Sequence, residues 1–246
     1  MNKFGLFASA SILVGAAFVA CSSSDEASPS NKKPTTTDPP LDSGQFDSTP
    51  SPDSGLGEMT FRPDEVFSGI DGTHAFKIPI ALYDSDTDVQ LTASDPGAFD
   101  VVPTALASPK LPDGTTDNGK YYFLVAKKAG SFTVTAKSKG RSVEAKVNIV
   151  QYAANRWTDG EKRYKTGSGS EPPCTNCHVN GMAIDHSPAA LASVNDEGVA
   201  AVILTGIKPN NTPIQGVEGN HQWKVSDTEK DGLVTYLRGL DPRGFK

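Results

Sequence analysis

The sequence predicts a β-sandwich followed by an all-helical segment, and two patterns support this expectation. Between residues 58 and 152, short runs of alternating apolar and polar residues are separated by turn pairs such as Asp71-Gly72 and Asn118-Gly119, as expected of successive strands. Between residues 153 and 246, apolar residues instead recur at helical spacing after helix-start signals. The folded region is therefore expected to have two parts with different secondary structure.

Strands in the first part are predicted from alternation and from β-branched and aromatic content. They cover Phe76–Leu82, Tyr121–Ala126, Ser131–Ala136 and Val143–Ile149. Pro79 has no backbone N–H, which predicts an edge strand at that position. Short strands with turns at this spacing are typical of a sandwich of the immunoglobulin type.

Helices in the second part are predicted from their start and stop signals. The first covers Arg156–Tyr164, and the second follows a capping Asn195 and ends at Gly206. The last begins at Ser226-Asp227-Thr228-Glu229, a capping box that satisfies free backbone N–H groups at the helix start. Its apolar face is formed by Leu233, Tyr236, Leu237 and Leu240.

The motif Cys174-Thr175-Asn176-Cys177-His178 carries the strongest chemical signal in the chain. It reads Cys-x-x-Cys-His, the attachment signature of a c-type haem. Two thiols at this spacing can each form a thioether bond with a haem vinyl group, and the following imidazole can bind the iron. The motif therefore predicts one covalent haem c, with Cys174 and Cys177 as attachment residues and His178 as the proximal iron ligand.

The cysteine count supports this interpretation. The chain has three cysteines, and Cys21 ends an N-terminal segment typical of exported proteins, which leaves only the motif pair. Three alternatives remain open for the pair. Zinc would need two further ligands, for example His186 and His221. A redox-active thiol pair or a small disulfide loop is also compatible with the spacing.

The N-terminal segment predicts export and a lipid anchor. Residues 1–20 combine a short basic start with an apolar run that is short for a membrane span. Phe18-Val19-Ala20-Cys21 resembles the lipobox of bacterial lipoproteins, with Phe18 where leucine is usual. That resemblance implies lipidation at Cys21 and, since Ser22 follows, an outer-membrane lipoprotein facing the periplasm or the surface of a Gram-negative bacterium. Residues 21–57 are rich in Ser, Pro, Thr and Asp and are predicted to be a disordered linker.

Two family resemblances set the expected architecture. The run Ala129–Ala136 resembles the penultimate strand of bacterial Ig-like domains, which assigns residues 58–152 to such a domain. Residues 153–246 resemble a class I cytochrome c domain, in which Gly160 and Tyr164 match the first helix and Val234–Leu240 matches the closing helix. The resemblances imply a multidomain fold: an all-β Ig-like sandwich followed by an all-α cytochrome c domain.

The second iron ligand is less clear from the sequence. Class I cytochromes usually place a methionine shortly before the last helix, but His221 stands there in this chain. Met182 follows His178 too closely to reach the opposite face of the porphyrin. We therefore expect His178 and His221 as axial ligands, with His186 as the alternative distal ligand and an open coordination position as a further one.

Charge and motif content limit the function. The formal net charge of −6 argues against a nucleic-acid partner. No hydrolase triad or paired-carboxylate arrangement is evident, so the chain is not expected to be an enzyme. The leading hypothesis is a membrane-anchored monohaem c-type cytochrome that carries single electrons to transient redox partner proteins. The alternative is a surface or interaction lipoprotein whose haem is sensory or structural and whose Ig-like domain binds a partner.

Overall fold

The structure, a computed structural model, describes residues 58–83, 87–169, 171–178, 186–214 and 221–246. These residues all belong to one compact unit. The predicted signal peptide (1–20), the linker (21–57) and the lipidated Cys21 lie outside the described residues, as does Met182. No helix in the described part of the chain is long and apolar enough to cross a bilayer.

The first of two sheets is entirely antiparallel. Its strands lie in the order β1 (Thr60–Arg62), β3 (Lys77–Tyr83), β6 (Lys120–Ala126) and β5 (Phe99–Thr104). The predicted edge position of Pro79 is wrong for the strand as a whole, since β3 lies between β1 and β6. At Pro79 itself the position is an edge on one side. The strand β1 pairs only with residues 81–83, so among the described residues no strand pairs with Pro79 on the side facing β1.

The second sheet is mixed. Its order is β2 (Glu65–Ile70), β8 (Arg141–Gln151), β7 (Gly130–Ser138) and β4 (Gln90–Ala93). The pair β2–β8 is parallel, whereas the other two pairs are antiparallel. The predicted strands at 76–82, 121–126, 131–136 and 143–149 are confirmed as β3, β6, β7 and β8.

One hydrophobic core lies between the sheets. Alternate side chains of the strands point into it, which is why the sequence alternates there. The core also receives Ala192 and the partly buried Trp157 from the helical part of the chain. Its fully buried members include Val66, Phe76, Ile78, Ile80, Leu82, Leu124, Val134 and Val147.

Four α-helices follow the sheets. They are α1 (Arg156–Thr166), α2 (Pro188–Leu191), α3 (Asp196–Thr205) and α4 (Asp227–Arg238). The predicted caps are confirmed. The Asn195 side chain accepts a hydrogen bond from the Gly198 N–H at 2.8 Å, and Gly206 ends α3 in the left-handed conformation. Ser226 and Glu229 form the capping box of α4.

Helices α1 and α4 cross at two glycines. A Cβ atom on Gly160 would overlap the carbonyl oxygen of Gly232, so the backbones approach as closely as glycine allows. Tyr164 and Tyr236 flank the crossing with ring centroids 5.2 Å apart. This pair of helices forms the frame on which the cysteine motif is placed.

The helices share an apolar cluster of their own, formed by Tyr164, Val199, Leu233, Val234, Tyr236 and Leu237, and they also pack against the sheets. The Phe67 N–H in β2 donates to the Ala192 carbonyl at 2.8 Å. The C-terminal Phe245 ring returns to β6, where it lies 5.9 Å from Tyr121 and 5.4 Å from Phe123. Apolar faces of the helical residues are therefore buried partly by the strands.

The predicted fold class, an all-β Ig-like sandwich followed by an all-α cytochrome c domain, is wrong. The described residues are 35% strand and only 23% helix, in two four-stranded sheets with four α-helices packed on them. Physically, the helical residues bury their apolar surface against strands as well as against each other. The domain boundaries themselves stay predictions.

The resemblance to a class I cytochrome c domain behind an Ig-like domain in a bacterial lipoprotein is corrected at the same time. The largely β content does not fit it. Within the described ranges, no group of three or more His, Cys, Asp or Glu side chains is arranged to hold a metal ion. Any argument about function therefore has to start from the local arrangement of the motif and not from the fold.

Candidate functional site

The cysteine motif folds into one compact turn. A 3₁₀ helix spans Cys174–Asn176, and it begins after the extended Pro173. The N–H groups of Cys177 and His178 both donate to the Cys174 carbonyl, at 3.2 and 3.0 Å. Both thiols and the imidazole are thus presented from a single turn of backbone, as attachment of one planar group through all three residues requires.

Both motif cysteines are half-buried, and neither forms a disulfide with another described residue. Burial raises the pKa of the Cys174 thiol, and the positive charge of Arg163 opposes this rise.

His186 and the more distant His221 meet His178 at the motif. The His178 ring stacks on His186 with centroids 3.7 Å apart and an interplanar angle of 26°. The His221 ring meets His178 nearly at right angles, at 6.1 Å and 87°. The structure thus brings together all of the residues that the sequence predicted for the site: Cys174, Cys177, His178, His186 and His221.

His186 is a partly buried histidine with a lowered pKa. Burial, together with the nearby His178, His221 and Arg243, lowers the pKa of His186 to about 3. Its Nδ1 lies 3.4 Å from the Tyr164 hydroxyl. The ring is therefore neutral near pH 7, held between a tyrosine and another imidazole.

His221 carries a buried nitrogen without a partner. Its Nδ1 makes no hydrogen bond in the described structure. The end of α3 holds its backbone, because a Cβ on Gly206 would lie only 2.6 Å from the His221 carbonyl oxygen. The next residues are fixed to the same helix, since the Trp223 N–H donates to the Ile203 carbonyl at 3.1 Å. The described residues include three other such nitrogens, in Lys120, Trp157 and Arg163, so this feature permits a ligand at His221 without indicating one.

Arg163 is a site residue that sequence reasoning missed. Its side chain is 2% exposed, and it lies on α1 with its guanidinium carbon 5.7 Å above the Trp223 ring. Trp223 in turn lies 5.9 Å from His221. An arginine in a helix with polar neighbours carries no sequence signal of burial, so only its tertiary contacts show the role.

The side chains at this site are of the kinds that could hold a haem. Cys174 and Cys177 could each carry a thioether bond, and His178 with His221 or His186 could bind the iron. Within the described ranges, no group of three or more His, Cys, Asp or Glu side chains is arranged to hold a bare metal ion. The rings of His178 and His221 lie 6.1 Å apart.

Comparison with known proteins adds no independent assignment. No family model matches the chain, and no match is found among curated proteins. The functional argument therefore depends on the residues and contacts described above.

Proposed function

We propose that this chain is a monohaem electron carrier in which one haem c is attached to Cys174 and Cys177. His178 and His221 would bind its iron. The carrying observation is a Cys-x-x-Cys-His motif folded into one turn beside the His221 ring. The proposal rests on the motif and its local geometry, and the fold class lends it no weight.

The haem and the residues that would hold it have separate roles in this proposal. When bound, the haem iron supplies reversible one-electron chemistry. The two thiols tether the group, and the imidazoles of His178 and His221 keep the coordination closed. Two imidazole ligands favour a lower reduction potential than an imidazole with a methionine. A closed coordination shell suits electron transfer better than substrate turnover, so we propose no enzymatic activity.

Ring geometry favours His221 over His186 as the distal ligand. His186 stacks face to face on His178, so the two rings do not present their nitrogens to one point between them. His221 stands at right angles to His178 at a separation that one metal ion can span.

Aromatic side chains lie beside two histidines of the site. Tyr164 lies beside His186, and Trp223 lies beside His221. Low solvent exposure strengthens electrostatic control of a redox group. In the same proposal, the protein is anchored to the outer membrane through Cys21 and meets its redox partners transiently.

Covalent haem attachment is the first test. The full chain is expressed in a host with cytochrome maturation, and the purified protein is examined by pyridine haemochrome spectroscopy and intact mass. We expect one haem per chain and a mass increase of one haem, both lost in a Cys174→Ser, Cys177→Ser double variant. Colourless wild-type protein with two free thiols would overturn the proposal.

Carbon monoxide separates electron transfer from sensing. A closed bis-histidine shell predicts that the visible spectrum of the reduced protein changes little on brief exposure to the gas. An immediate and complete spectral shift would instead support an open coordination position, and with it the sensory alternative. Reversible reduction by a small-molecule electron donor, without any substrate, supports the carrier function.

A further inference from the structure

Arg163 is a buried cation beside the cysteine motif that the proposed function does not use. It lies in α1, and its side chain is 2% exposed. Burial of an arginine is costly unless acceptors surround the guanidinium. The contacts of the guanidinium therefore indicate which parts of the chain Arg163 holds together.

One set of contacts goes to the segment just before the motif. Arg163 Nη1 donates to the Pro172 carbonyl at 3.3 Å. Nη2 donates to the Glu171 Oε2 at 3.3 Å. The guanidinium thus holds the residues that lead directly into Cys174.

A second set goes to the segment that carries His221. The guanidinium lies over the Trp223 ring, two residues after His221. Glu171, the partner of Arg163, also accepts a hydrogen bond from the Lys224 N–H at 3.3 Å. Arg163 Nε further lies 3.8 Å from the Glu229 Oε1 at the start of α4.

We propose that Arg163 is a positioning residue that fixes the segment carrying Cys174, Cys177 and His178 relative to the segment carrying His221. The inference rests on the proposed function, because Arg163 would keep constant the distance between His178 and His221, the two proposed iron ligands. The planar fork of arginine suits this task, since it reaches two acceptors on one segment while its face covers the indole of the other. Lysine offers a single charged point and no such face.

Variants at Arg163 test the inference on the haem-loaded full chain. Arg163→Met removes the charge and the fork, and Arg163→Lys retains only the charge. The matched controls are Arg156→Met and Arg156→Lys, on the same helix, because Arg156 forms a half-exposed pair with Asp159 at 3.2 Å. Loss of such an outer partner typically weakens metal binding by about 10- to 100-fold.

The expected result is a loosening of His221 in both Arg163 variants. In Arg163→Met, we expect a high-spin ferric fraction and a rise of about tenfold or more in the apparent affinity of the reduced protein for carbon monoxide. Arg163→Lys is expected to show the same change, because charge alone does not restore the fork. Both Arg156 variants should match the wild type. Equal carbon monoxide affinity in Arg163→Met and Arg156→Met would overturn the inference.

A second readout does not depend on iron. Hydrogen–deuterium exchange of peptides containing Lys224 reports the hydrogen bond from its N–H to Glu171. We expect faster exchange in Arg163→Met and Arg163→Lys than in the Arg156 variants. Should Arg163→Met fail to fold, Arg163→Lys and Glu171→Gln decide the question by the same measurement, and unchanged exchange in both contradicts the inference.

The two proposals fail differently. Wild-type protein without covalent haem refutes the proposed function, whatever the exchange data show. Haem-loaded wild type with unaltered ligand binding and exchange in the Arg163 variants refutes only the positioning role. The two results are therefore distinguishable in one set of preparations.

Discussion

Gly160 of α1 lies directly against Gly232 of α4, so that a Cβ atom on Gly160 would overlap the Gly232 carbonyl oxygen. The overlap is with backbone, which cannot move aside as a flexible side chain does. The two helices are therefore held at a separation that only glycine permits at this point. Every residue of the site is carried by these helices or by the segments packed on them.

Gly160→Ala is expected to destabilise the protein strongly. Overpacking of a well-packed contact typically costs 1–3 kcal/mol, and an overlap with backbone places this variant at about 3 kcal/mol or more. Urea denaturation followed by far-ultraviolet circular dichroism measures the loss. Gly97→Ala is the control, because its Cβ would meet only the Asp95 Oδ1, at 3.3 Å. Similar midpoints for the two variants would contradict the prediction.

Arg238→Met is expected to cost about 1–3 kcal/mol, because it leaves the Leu191 and Val194 carbonyls without their donor. Asp196, by contrast, keeps the Tyr152 hydroxyl at 2.9 Å. Arg238 is 2% exposed. Its Nε donates to the Asp196 Oδ1 at 3.0 Å, and its other nitrogens donate to the Leu191 and Val194 carbonyls. Denaturant unfolding measures the change, and Arg156→Met should cost less than about 1 kcal/mol, as half-exposed pairs do.

Asp71 is expected to make stability depend on acid. Burial raises the pKa of the Asp71 carboxyl, but hydrogen bonds from the His74 N–H, the His74 ring and the Thr73 N–H together bring the pKa below its ordinary value. A carboxyl group whose pKa is lower in the folded state stabilises that state at pH values above its unfolded pKa of about 3.9. This stabilisation is lost as the pH falls through the folded pKa.

Asp71→Asn tests this dependence by urea unfolding at several pH values. The variant should be less stable than the wild type at pH 7, and the difference should shrink below about pH 4, where the wild-type carboxyl takes up a proton. A difference that stays constant down to pH 2 would show that the carboxylate charge contributes nothing. The Trp157 ring, stacked on His74 at 4.0 Å, supplies a fluorescence signal for the same region.

Ser226→Ala is expected to destabilise the protein by about 1 kcal/mol, the usual cost of a lost N-cap. The Ser226 hydroxyl accepts from the Glu229 N–H at 3.3 Å, and the Glu229 carboxylate accepts from the Ser226 N–H at 2.9 Å. Thermal unfolding measures the loss. Ser226→Asp preserves a capping oxygen, so it should retain nearly wild-type stability, and equal losses in both variants would argue against a capping role.

His221→Met is expected to raise the reduction potential of the haem-loaded protein, because a thioether stabilises ferrous iron more than an imidazole does. Spectroelectrochemical titration measures the shift. His186→Met serves as the comparison, since its ring stacks on His178 and is not proposed to bind the iron. A shift in His186→Met together with none in His221→Met would exchange the roles of the two histidines.

Local signals in the sequence predicted much of the secondary structure. The strands β3, β6, β7 and β8 followed from alternation, and the caps at Asn195 and Ser226 followed from residue type. Other features escaped prediction because they have no local signature. The parallel pairing of β2 with β8 joins residues about eighty positions apart, and the burial of Arg163 depends on acceptors from two later segments.

The sequence alone determined the cysteine motif, the strands β3, β6, β7 and β8, and where the last two helices begin, because these depend on residues within a few positions of each other. Only the tertiary structure decided that the helices bury themselves against the sheets and that His178, His186 and His221 meet at one place. Such contacts are set by the burial of apolar surface between distant segments. The sequence of one segment does not indicate which distant segment will cover its apolar surface, so these contacts are seen only in the folded structure.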